Sequence, residues 1–124
     1  MRVLDNLVPA KVFYYFEELC NIPHGSTNTK AISDYCVNFA KERGLAYHQD
    51  AENNIIILKN GSKGYEDSKP VIIQGHLDMV CEKEADCTID FEKDGLSLAI
   101  DGDYIYAEGT TLGGDDGIAV AMAL

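Results

Sequence analysis

The chain is short of positive charge: 10 Lys and Arg stand against 21 Asp and Glu, a formal net charge of -11 at pH 7. Such a surface repels phosphate backbones and anionic headgroups, which sets aside nucleic acid and membrane surfaces as partners and makes a cation the better candidate. C-x-x-C pairs are also missing. The four cysteines, Cys20, Cys36, Cys81 and Cys87, are scattered, so neither a zinc ribbon nor a thioredoxin-type site is indicated, and reduced thiols are expected. No apolar run approaches the roughly 20 residues of a membrane span. No basic segment followed by an apolar one opens the chain, and a cytoplasmic address is the expectation.

What is present is an ordinary globular composition, 46% hydrophobic and 25% charged over 124 residues, enough for one domain with a moderate core. From Val8 to Cys20 the apolar residues Val12, Phe13, Phe16, Leu19 and Cys20 recur at helical spacing, with Pro9 suited to a first turn and Pro23 closing the segment. Glu17 and Glu18 read as the solvated edge of this helix. Ser26, Thr27 and Asn28 offer N-caps for a second helix lined by Ile32, Tyr35, Cys36, Phe39 and Ala40, and Gly44 sits where a C-terminal cap belongs. Strand patterns follow over 45–49 and 54–59, with Asn60-Gly61 as a turn. Residues 71–74 form an all-apolar run ending in Gln74, the signature of a buried, central strand covered on both faces. After an acidic loop over 81–94, two short strands flank a tight turn at Asp101-Gly102-Asp103. His24, between the helices, and His48, in an edge-like strand, read as ordinary polar residues.

Two segments carry chemistry. VIIQGHLDMV ends its apolar run on His76 and Asp78, one residue apart. Side chains at i and i+2 of an extended chain share a face, and a carboxylate beside an imidazole can hold its second ring N–H, fixing the tautomer of a metal ligand. The same pair also suits a surface polar contact or a satisfied strand end. GTTLGGDDG has the glycine separation of a phosphate loop, but Asp115 and Asp116 stand where that motif needs Lys and Ser or Thr. Carboxylates repel phosphate; on a glycine-hinged turn they can reach a cation, or one of them can serve as a helix N-cap. The apolar helix that follows is still open at Leu124, which reads as the N-terminal piece of a longer protein.

A strand ending GHLDMV, followed some forty residues later by GTTLGGDDG and an apolar helix, resembles the metal-dependent exopeptidases of the aminoacylase and carboxypeptidase-G type. Within them it is most similar to the cytosolic aminoacyl-histidine (Xaa-His) dipeptidases. KVFYYFEELCNIPHGSTNTKAISDYCVNFAKERGL is similar to the N-terminal helix pair of that branch, and AENNIIILK to its next strand. The resemblance implies an alpha/beta catalytic domain with a mixed central sheet between helices, of which residues 1–124 form the N-terminal part, cut in the helix after Asp116. It implies that His76 is a terminal ligand of one of two zinc ions, for which manganese or cobalt could substitute, that Asp78 is the catalytic carboxylate behind it, and that Asp115 bridges the ions through a cis peptide to Asp116. Close members have Asn after the bridging Asp, so the choice between Asp115 and Asp116 stays open here. The glutamate base and further ligands of the family have no counterpart in these residues. The implied activity is hydrolysis of dipeptides, Xaa-His among them, by a parent expected to be a homodimer. The alternatives are a tripeptidase or N-acyl amino acid deacylase of the same clan, or a non-catalytic acidic binding module.

Overall fold

The structure, a computed structural model, describes residues 2–124. Helix α1 spans Ala10–Cys20, and Pro9 in extended conformation precedes it, a position where the missing N–H costs nothing. Its buried face is Tyr15, Phe16, Leu19 and Cys20. Helix α2, Lys30–Glu42, turns Ile32, Cys36, Val37, Phe39 and Ala40 inward. It closes as a Schellman turn, with Gly44 N–H donating to the Lys41 carbonyl at 3.1 Å and Leu45 N–H to that of Ala40 at 2.9 Å. The three residues expected to cap its start lie outside it. Thr29 precedes the helix without a side-chain cap bond, and Asn28 is drawn into a turn, its N–H donating to the Gly25 carbonyl at 2.7 Å.

Strands β1 (Ala46–Gln49) and β2 (Ile55–Leu58) pair antiparallel from Ala46 with Leu58 to Gln49 with Ile55, and α2 packs against them. Strands β3 (Leu98–Asp101) and β4 (Tyr104–Ala107) form a second antiparallel pair joined through Gly102 and Asp103. Helix α3, Gly114–Ala123, lies against α1. The core gathers Leu4, Phe16, Leu19, Ile32, Met79, Leu96, Leu98, Val120 and Ala121. All four cysteines are free.

Two expectations need correction. The run 71–74, read as a buried central strand, is exposed and unpaired, with Ile72 88% exposed. A parallel-type strand is stable only between neighbours that take up its backbone N–H and C=O groups, and among the described residues the two sheets are separate pairs that do not reach it. These residues form a partial α/β domain, helices with two small antiparallel sheets, as expected of the N-terminal part. Glu17, read as a solvated edge, is only 7% exposed. The N-terminal segment folds back over α1, so that the Glu17 carboxylate accepts from the N–H groups of Val3 (2.8 Å) and Leu4 (3.0 Å). Arg2 lies over the ring of Tyr14 and donates to Glu18 at 2.5 Å.

Candidate metal centre

The extended segment through residue 75 ends against the start of α3. A Cβ on Gly75 would stand 2.9 Å from Asp116 Oδ2 and 3.4 Å from Val120 Cγ2, so the bare backbone is what lets the helix come this close. The His76 N–H donates to Asp116 Oδ2 at 3.3 Å. The two adjacent aspartates thereby part company. Asp116 turns back to the main chain at His76, whereas Asp115 Oδ1 faces the imidazole, 2.9 Å from Nε2. Both aspartates depart from helical backbone angles, and the peptide between them is cis. On the other side of the ring, Asp78 Oδ1 and the Asp78 carbonyl each lie 3.0 Å from Nδ1. The i, i+2 geometry expected of the strand end is thus present although the sheet around it is not.

The hydrogen bond to Asp115, reinforced by Asp78, raises the pKa of His76. The hydroxyl of Ser26 and then the imidazole hold Asp78 below the usual carboxylate range. With a proton on Nδ1 directed at Asp78, the Nε2 lone pair points at the carboxylate of Asp115. Two acceptors at that separation need a proton or a cation between them. The Asp115 side chain is 95% exposed and would present its carboxylate to such a cation together with the His76 imidazole. Imidazole with carboxylate is a donor set that suits zinc and admits manganese or cobalt. The residues fit as part of a centre. No group of three or more ligating side chains occurs among the described residues, and catalytic zinc takes three protein ligands.

Sequence patterning passed over the residues behind this site. His24 is 4% exposed, with Nδ1–H donating to the Ile22 carbonyl at 2.5 Å, and burial lowers its pKa. Nothing in its local sequence signals that burial, since the covering groups come from residues 79 and 113. His48 is exposed on β1, as expected.

Beyond the site, the fold of these residues matches part of a solved dipeptidase. The chain superimposes on the aminoacylhistidine dipeptidase from Vibrio alginolyticus with a TM-score of 0.93 at 38% identity, over 97% of this chain and 24% of that one. It is also 43% identical over its full 124 residues to the cytosol non-specific dipeptidase of Escherichia coli (strain K12), covering 26% of that protein. This chain is a stretch of sequence and fold shared with dipeptidases, and it spans about a quarter of the length of each. No family model matches it.

Proposed function

We propose that the protein is a metal-dependent dipeptidase acting on unblocked dipeptides, Xaa-His among them, and that these residues supply one corner of its metal centre. The observation that carries this is His76, held at Nδ1 by Asp78 and facing Asp115 across 2.9 Å at Nε2. The names of the two relatives support dipeptide hydrolysis. They differ on breadth, one being non-specific and the other aminoacylhistidine-directed, so the Xaa-His preference is a member of the proposed range. When bound by these residues, a divalent ion would supply a hydroxide near neutral pH and polarise a carbonyl. The chain's own residues do the positioning. Asp78 fixes the imidazole tautomer, Asp116 anchors the His76 backbone, and Asp115 presents a carboxylate to the ion. In this reading zinc is the resident metal, Asp78 the catalytic carboxylate and the cytoplasm the location, in keeping with a relative named as cytosolic. None of the helices is long and apolar enough to cross a membrane, among the described residues. A homodimer is the proposed assembly.

The test is hydrolysis of a panel of free, N-acylated and three-residue peptides by the full-length gene product, before and after chelation. Chelator-sensitive cleavage of free dipeptides, lost in His76→Ala and Asp115→Ala, is expected. Asp78→Asn should retain about 1–10% of activity, the usual cost of losing the group behind a metal-bound histidine. Preference for N-acylated or three-residue substrates would replace this reading with a deacylase or a tripeptidase. The 124-residue chain alone, with two of the ligands, is expected to be inactive.

A further inference from the structure

The turn between α1 and α2 touches both halves of the candidate centre. The Met79 N–H donates to the His24 carbonyl at 3.0 Å, and Gly25 forms a parallel bridge with Met79, so the backbone just past Asp78 is fastened to this turn. The Ser26 hydroxyl reaches the carbonyl of Met79, the residue after Asp78, at 3.5 Å. The second half is gripped by packing. At Gly113, two residues before Asp115, a Cβ would meet Met79 Sδ at 2.9 Å, Met79 Cβ at 3.1 Å and His24 Nε2 at 3.4 Å. The backbone there has φ +71°, a conformation that disfavours side chains. His24 and Met79, both buried, therefore form the surface on which the loop bearing Asp115 rests.

We infer that the His24–Gly25–Ser26 turn is a positioning element of the metal centre, setting Asp78 through the backbone of the adjoining Met79 and the Asp115 loop through His24, and hence the gap between His76 and Asp115. The inference rests on the metal-centre reading above. Of the three residues none touches the ion in this scheme. Ser26 acts through the Met79 carbonyl beside Asp78, and His24 through Gly113.

Three variants of the full-length gene product test it: Ser26→Ala, its hydroxyl-restoring counterpart Ser26→Thr, and His24→Asn, which keeps a donor toward the Ile22 carbonyl but empties the space beside Gly113. The readouts are the zinc dissociation constant by competition with a chelating dye, the visible absorption of the cobalt-substituted protein, and the melting midpoint. We expect zinc to bind about tenfold more weakly in Ser26→Ala, with recovery in Ser26→Thr and an unchanged midpoint. His24→Asn should alter the cobalt spectrum. Wild-type zinc affinity and an unaltered cobalt spectrum in Ser26→Ala and His24→Asn would overturn the inference, as would a fall in melting midpoint with no change in metal binding. Wild-type protein that binds no metal and cleaves no dipeptide would overturn the metal-centre reading and this inference with it, an outcome separate from the first.

Discussion

Leu19 and Ile72 are both large apolar residues, one on an amphipathic helix and one in an all-apolar run, and they end in opposite surroundings. Leu19 on α1 is 1% exposed, enclosed by the helices and the β3–β4 region, whereas Ile72 is 88% exposed. A helix satisfies its own backbone and needs only an apolar stripe to be covered, which a neighbouring helix can do. A central strand of a parallel-type sheet needs neighbours on both edges as well as cover on both faces. A groove of about 900 Å³ lies between β2 and the 71–75 segment, lined by Ile55, Ile57, Val71 and Ile73 on its two sides. The candidate metal centre sits at the border between the two regions. His76 continues the uncovered extended segment, yet its main chain is anchored by Asp116 of α3, and α3 belongs to the closed half. The site is ordered from the helical side.

That contrast can be broken by measurement. Leu19→Ala should cost about 2–5 kcal/mol in chemical denaturation of the chain, the range for emptying a core site. Ile72→Ala, by comparison, should fall within about 0.5 kcal/mol, as at an exposed position. Comparable losses at both sites would mean that the 71–75 segment is buried in solution. Glu17→Ala should cost about 1–3 kcal/mol, since it strands two main-chain donors at Val3 and Leu4 that the carboxylate now satisfies. A neutral result would return Glu17 to the solvated edge that its sequence suggests.

A smaller effect is expected from pH. Burial lowers the pKa of His24 below its ordinary value of 6.5, so the unfolded chain takes up a proton before the folded one does. The stability tied to neutral His24 is then fully present above pH 6.5 and declines as the pH falls from there through the lowered folded value. Denaturation midpoints of wild type and His24→Asn should converge on acidification across that window. A gap that is constant with pH would show that His24 is not held neutral. The smallest effect on unfolding is expected for Ile72→Lys. Its readout is association: an uncovered apolar strand edge invites pairing with another chain, and a lysine there suppresses it. Light scattering of the 124-residue chain should show self-association that this substitution reduces, and a monomeric wild type would contradict the picture of an open edge.

Much of the site was legible in the sequence because its information is local. The spacing of His76 and Asp78 is a two-residue strand relation, and GGDDG before an apolar helix marks a carboxylate-bearing turn. Which aspartate faces the imidazole was not legible, since Asp115 and Asp116 are adjacent and chemically identical. The choice follows from Gly75 admitting α3 so closely that Asp116 meets the His76 N–H. His24 and Ser26 were passed over for the same reason, their shared partner Met79 being 55 and 53 residues away in the folded chain.

The sequence by itself determined the two amphipathic helices, the Schellman stop at Gly44, the paired short strands, the acidic surface and the residue types that can meet a cation, because periodicity, turn chemistry and charge act over a few neighbouring residues. Tertiary structure alone decided that Glu17 is buried, that residues 71–74 stay uncovered, and that Asp115 rather than Asp116 meets His76. Each of these depends on which distant segment arrives to take up a hydrogen bond or exclude water, and no local pattern encodes that arrival.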